Sequence, residues 1–404
     1  MNPLAQRQRK QLIVLAVGLV LAMSPWFTTA AVLGQLRESW NLTTADASWL
    51  TIMVQLGFVA GATISSVTNL ADVVAPRRLI LIGATGAALA NASLVLMGSV
   101  GPALGARFVT GAFLAAVYPP ALKAMSGWYR TGRGFALGVM IGALTIGSAL
   151  PHLINSIGGF SWRPTLLIAS VLTLAGGVIA ERLSTDGPYV TAGAVFDPGQ
   201  MKAIFRNRHF RLASIGYFGH MWELYAMWAW IAAFYNDAFE SSRLASLAAF
   251  SVIGIGAAGS VYAGKISDKI GRADAAGLAL RWSASVAIVM GFLAEAPWPI
   301  LVGVGMVWGF WVVADSAQFS TIVTEVIDRR YVGTALTLQL AIGFVLTVFT
   351  IFLVPIVREA QGWGWAFLLL APGPLIGAWA MRSLRLGPVP ELDPDEMPYV
   401  SPFF

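Results

Sequence analysis

The chain has 404 residues, of which 57% are hydrophobic and only 11% charged; its mean hydropathy is +0.71 and its formal charge +6. A soluble domain carries about 25% charged residues, so this composition excludes a water-soluble globule. The absence of cysteine excludes disulfides and thiolate metal sites, and the basic residues fall between apolar runs instead of forming a patch for nucleic acid.

The apolar runs have the length of a bilayer-spanning helix, about 20 residues. Twelve helices are expected, over residues 11–33, 47–70, 78–98, 101–126, 133–158, 164–182, 210–236, 243–264, 274–293, 298–325, 332–357 and 364–383. The first follows Arg7, Arg9 and Lys10, and its apolar part is too long for a cleaved signal peptide. Ser24-Pro25-Trp26-Phe27 interrupts it; proline frees carbonyls that a cavity or a neighbour must resatisfy, so Trp26 is a candidate solute contact. The second carries Gln55, a hydrogen-bonding candidate, beside the small packing positions Gly57 and Gly61. Asp72, Arg77 and Arg78 follow in the connecting loop. The fourth contains Arg107, a second interruption at Tyr118-Pro119-Pro120, and Lys123, which snorkels to the surface. In the fifth, His152 follows Pro151 and is open between a ligand contact and a structural histidine.

Residues 183–209, with Asp186-Gly187-Pro188 and Asp197-Pro198-Gly199, read as a linker between two six-helix halves, 1–182 and 210–384, and 385–404 form a tail. An ionisable group in hydrocarbon costs roughly 2.5–3.5 kcal/mol, so each one within a span is a functional candidate. Glu223 lies near the midplane of the seventh helix, with His220 three residues before it on the same face and Tyr225 beside it. On the ninth, Arg281 reads as a structural pair or a snorkelling cation. Asp315 lies at similar depth in the tenth, with Trp308, Trp311 and Gln318 one or two turns away, and Gln339 lies in the eleventh. The buried carboxylates Glu223 and Asp315 are candidate proton carriers.

Basic residues set the orientation. Nineteen of the 26 Lys and Arg fall on the side of the amino terminus and four on the other, which places both termini in the cytoplasm. Three landmarks recur at nearly constant offset. Asp72 matches Asp268, Gly134 and Ala136 match Gly333 and Ala335, and Trp162 matches Trp365, at 196, 199 and 203 residues. Duplicated halves suit a transporter whose solute site lies between them.

The segment Gly264-Lys-Ile-Ser-Asp268-Lys-Ile-Gly271-Arg272 resembles the G-x-x-x-D-x-x-G-R loop motif of the major facilitator superfamily, between spans eight and nine. The first half keeps a degraded copy, with Asp72, Arg77 and Arg78 in place, Thr68 where the first glycine stands and Ala75-Pro76 replacing Gly-Arg. Arg107-Phe-Val-Thr-Gly111 resembles the family's fourth-span R-x-x-x-G motif, which is linked with proton coupling. Span five, with Gly138, Gly142 and Gly147, lacks the Gly-Pro pair of the family's drug/proton antiporters and the glycine signature of its nitrate/nitrite porters. The resemblance implies an all-α membrane protein of twelve helices in two pseudo-symmetric six-helix bundles, with spans seven and ten lining the cavity. It also implies a cytoplasmic gate built on Asp72, Arg77, Arg78, Gly264, Asp268, Gly271 and Arg272.

The expectation is a monomeric, proton-coupled secondary transporter of a small polar solute, in a membrane of bacterial inner-membrane type and without a cofactor. An organic anion or zwitterion is favoured, because Arg107 and His152 stand in one half and Glu223 and Asp315 in the other. Two other readings are weighed. One is a transition-metal transporter using His220, Met221, Glu223 and Met227 on one span. The other is a receptor or membrane enzyme, against which stand the lack of a sizeable soluble domain, of H-E-x-x-H, of a phosphate-binding glycine loop and of a nucleophile elbow.

Overall fold

The computed structural model describes residues 3–129, 132–158, 161–189, 199, 201–328 and 331–385; the side chains of Ala71, Asp72, Arg133 and Gly158 are not among those described. Arg130, Arg329, Arg330, most of the linker and the tail beyond Arg385 lie outside these residues. Among them the secondary structure is helical throughout, as a chain in hydrocarbon requires to satisfy its own backbone.

The first rod is α1 (Pro3–Ala22), α2 (Thr28–Ala31) and α3 (Leu33–Trp40). The single helix expected over 11–33 is thus broken at 23–27, where Pro25 withholds an N–H from the ladder. Asn41, at φ 51°, ends α3. α4 (Thr44–Val67) opens on a capping box, in which Thr43 and Asp46 satisfy each other's backbone N–H. After α5 (Leu70–Val73) come α6 (Pro76–Ser93), α7 (Val100–Leu114) and α8 (Tyr118–Ser126), the last two separated by a turn just before Pro119. α9 (Arg133–Gly158), with Pro151 inside it, and α10 (Trp162–Leu183) complete the first half.

The second half comprises α11 (Met201–Arg206), α12 (Arg208–Ala238), α13 (Ser242–Gly254), α14 (Gly256–Ile270), α15 (Arg272–Met290), α16 (Trp298–Val312), α17 (Ser316–Val326), α18 (Val332–Gln361), α19 (Trp363–Leu368) and α20 (Pro372–Arg385). Three breaks here were not expected, at Ile255 between α13 and α14, at 313–315 between α16 and α17 and at 369–371 before Pro372.

Among the described residues ten helices are long and apolar enough to cross a membrane. The other two expected spans fall outside that set for visible reasons. α1 carries Arg7, Arg9 and Lys10 in its first half, and α12, 31 residues long, carries His220, Glu223 and its polar aromatics.

The halves meet along two antiparallel seams. On one, Gly134, Gly138 and Gly142 of α9 press against the backbone of Gly264, Ser260 and Ala257 of α14, so closely that a Cβ on Gly138 would sit 2.6 Å from the Ser260 carbonyl. Farther along, Asn155 Nδ2 donates to Ser246 Oγ at 2.9 Å. The other seam, α4 against α18, is built from side chains: Thr44 with Glu359, Trp49 with Phe352, Phe58 with Phe344, and Ser66 with Thr337.

Candidate functional site

α12 carries two titratable side chains inward, and the second half closes over both. Glu223, 1% exposed, accepts from Ser283 Oγ of α15 at 2.7 Å and from Trp308 Nε1 of α16 at 2.7 Å. One turn back, His220 Nδ1 lies 2.8 Å from Asp315 Oδ1 in an ion-pair contact off the linear hydrogen-bond direction, and its Nε2 lies 3.1 Å from Ser316 Oγ. Asp315 occupies the break between α16 and α17, at the residue preceding α17. The rings of Tyr217 and Phe319 close over His220. Two carboxylates, a histidine and two hydroxyls thus fill an otherwise apolar interior, where a carboxylate persists only with donors around it.

Arg107 is buried among oxygens of its own half. Its Nη1 donates to the Pro25 carbonyl at 2.9 Å, with Thr28 Oγ1 at 3.2 Å and Asn91 Oδ1 at 3.3 Å. Nε donates to the Leu50 carbonyl at 3.1 Å and Nη2 to that of Trp26. Asn91 is in turn fixed by donating to the Leu166 carbonyl and Ser170 Oγ. Arg107 therefore resatisfies carbonyls at the Pro25 break. The expected arrangement, in which it shares a chamber with Glu223 and Asp315, gives way to two separate constellations, one per half.

Between them lies an aromatic junction. Trp26 contacts Phe58, Tyr225 and Phe344, and Phe27 meets Tyr225 and Trp228, so rings from α4, α12, α18 and the α1–α2 break interlock across the halves. Several buried polar atoms have no hydrogen-bond partner: both amide atoms of Gln55, both ring nitrogens of His152, and Nε1 of Trp26 and of Trp228. Gln318 Nε2 is likewise without a partner, whereas Gln339 donates to Ser214 Oγ at 3.4 Å. Tyr118 starts α8 and packs against the core.

At the end of the bundle that holds Arg272, the residues of the loop motif lie together. Arg272 Nη1 pairs with Asp268 Oδ1 at 2.7 Å and donates to Ser267 Oγ at 2.6 Å, and its Nε lies 3.8 Å from Glu325. The pair sits against Gly134 at the amino end of α9, where the helix dipole favours the carboxylate. Gly271, at φ 91°, makes a turn that other residues adopt only with strain. In the degraded copy, Arg77 Nε is buried without a partner.

Ser283, Asn91 and Glu325 are among the partners that sequence reasoning missed. Asn91 offered a signal, an amide within a span; Ser283 offered none, since an isolated serine in a helix commonly bonds its own backbone. Among the described residues no group of three or more His, Cys, Asp or Glu side chains is placed to hold a metal ion. For the metal-transport reading, His220 and Glu223 are turned to separate protein partners.

The family model of the major facilitator superfamily matches residues 15–280. The chain is 27% identical over 191 residues to the multidrug efflux pump LfrA of Mycolicibacterium smegmatis (strain ATCC 700084 / mc(2)155), covering 46% of this chain and only 37% of that pump. The solved structure of the proton:xylose symporter XylE bound to 6-bromo-6-deoxy-D-glucose superposes with a TM-score of 0.71 at 12% identity, over 94% of this chain and 96% of that one.

Proposed function

The chain belongs to the major facilitator superfamily, a family of membrane transporters and not of enzymes, and from that premise we propose that it is a proton-coupled secondary carrier working by alternating access. In this reading twelve spans form two bundles, 1–182 and 210–384, joined by the linker 183–209, with both termini and the tail 385–404 in the cytoplasm. The carrier acts as a monomer in a bacterial inner membrane.

The observation that carries the coupling is the burial of Glu223 between Ser283 and Trp308, one turn from the His220–Asp315 contact. A carboxylate held by neutral donors beside a histidine can take up a proton and release it as α12 shifts against α15 and α16. In this reading His220 and Asp315 relay the proton with Glu223, while Gln318, Gln339 and Tyr225 border the path. The solute passes at the aromatic junction. Trp26, Gln55, His152 and Tyr118 contact it from the first half, and the unpartnered atoms of Gln55 and His152 support that assignment.

The engagement of Arg107 by carbonyls turns the preference away from an organic anion and toward a zwitterionic or cationic organic solute. Arg107 positions the span-one break on which Trp26 stands. The gate rests on Asp268–Arg272 and the Gly264–Gly134 approach, with Gly271 shaping the turn and Asp72, Arg77 and Arg78 as the first-half counterpart. The named cargoes of the two relatives, drugs and xylose, differ from one another and neither is assigned to this chain.

The test is uptake into proteoliposomes with and without an imposed pH gradient, for the wild type, Glu223→Gln and Asp315→Asn. Gradient-driven uptake that persists in both variants overturns the proton assignment.

A further inference from the structure

α15 turns a stripe toward lipid in which Trp282, Ile288 and Val289 are exposed, as a bilayer-facing helix should be. Arg281 is exposed in the same stripe, roughly 13 Å along the helix from Arg272 at about 1.5 Å per residue. Among the described residues it has no acidic partner. Long side chains on a helix lean toward its amino terminus, and this one does. Its Nη1 lies 3.5 Å from where a Cβ on Gly277 would stand, so the glycine makes room for the guanidinium, and the same point lies 3.4 Å from Met381 Cβ of α20.

The guanidinium therefore lies in the groove between α15 and α20. Arg382, also exposed, follows Met381 toward the membrane surface. Asp274, the acid at the mouth of the groove, is engaged by Arg385 Nη1 at 3.0 Å. Trp379, 60% exposed, lies on the lipid-facing side of α20, and Trp282 stacks on Trp311 of α16 at 6.2 Å. The groove thus combines cations at two depths with an open, lipid-facing side.

We propose that this groove holds the headgroup of an anionic phospholipid, with Arg281 taking the phosphate, Arg382 the second contact, and the acyl chains lying along the lipid-facing side of the two helices. Basic pockets between membrane helices on the cytoplasmic side recognise such headgroups. A lipid and not a soluble anion is the occupant because Arg281 opens onto hydrocarbon, where a phosphate arrives only on a lipid.

The test uses the full-length protein in detergent mixed with phosphatidylglycerol or phosphatidylcholine. Tm is read for each mixture, and retained lipid is counted by native mass spectrometry. Phosphatidylglycerol is expected to raise Tm and to be retained, phosphatidylcholine not. Arg281→Gln is expected to lower retention roughly fivefold, the factor for one cation at a membrane surface, and Arg281→Lys to keep most of it. Should Arg281→Gln not purify, Arg382→Gln carries the same expectation. Equal retention in the Gln variants, or equal stabilisation by both lipids, overturns the proposal. So does a wild-type dimer that Arg281→Gln splits, which would assign the groove to a second copy.

Discussion

Arg107 Nη1 lies 2.9 Å from the carbonyl oxygen of Pro25, so the basic residue of the fourth span is used to hold open a break in the first. Removing it takes a charged donor from the Pro25, Trp26 and Leu50 carbonyls, of which that of Pro25 keeps Thr28 Oγ1 at 3.0 Å. An orphaned buried polar group costs about 1–3 kcal/mol. Arg107→Ala is therefore expected to destabilise the fold by on the order of 3 kcal/mol and to lower Tm in detergent. Arg107→Lys cannot reproduce the fork of donors and should fall between. A variant as stable as the wild type would show that the break stands without the clamp.

Glu223→Gln keeps the shape of the side chain and removes its proton chemistry. Uptake driven by a pH gradient is expected to fall to the rate without a gradient, while solute exchange across equal pH continues. Ser283→Ala and Trp308→Phe each delete one bond to the carboxylate and leave it in place. Each is expected to shift the pH midpoint of uptake and to lower stability by about 1 kcal/mol. An unchanged pH profile in both would place the coupling group elsewhere.

His220→Ala leaves Asp315 without its 2.8 Å partner and Ser316 without its ring contact. A carboxylate deprived of a buried partner is strongly penalised, so the variant is expected to lower Tm. The double variant His220→Ala/Asp315→Asn should recover part of that loss. Additive losses would show that the two do not act as a pair.

The fold was legible because hydrocarbon admits little but helices. Run length, the bias of Lys and Arg and the loop motif at Gly264–Arg272 carried the family, and the prolines at 25 and 119 carried two of the breaks. The break at Asp315 was not legible: Val313-Ala314-Asp315, directly before α17, contains no proline or glycine. Partnership across spans was legible only in part. Spacing of three residues placed His220 and Glu223 on one face of α12, yet no periodicity tells which distant helix supplies Ser283 or Asn91. Arg107 misled for a related reason, since a buried cation surrounded by carbonyl oxygens and one surrounded by carboxylates look the same in sequence.

The two seams predict different responses to a covalent bridge. Along α9 and α14 the backbones are in contact through glycines, and along α4 and α18 the contact is through side chains. Ser66 Oγ and Thr337 Oγ1 lie 2.9 Å apart at one end of the second seam, so cysteines at the two positions bring their sulfurs together. Because the chain has no cysteine, S66C/T337C can form no other intramolecular disulfide. Alternating access requires the seams to part at one end at a time, so oxidation is expected to abolish net uptake and dithiothreitol to restore it. Each single variant should transport whether oxidised or reduced. Gly138→Val addresses the other seam: its side chain meets the Ser260 carbonyl and is expected to keep α9 and α14 apart in the state described here, reducing uptake in either redox condition. Full uptake by the oxidised S66C/T337C protein would mean that the Ser66 end of the α4–α18 seam stays shut through the cycle, and the rocking of one bundle against the other would have to be abandoned.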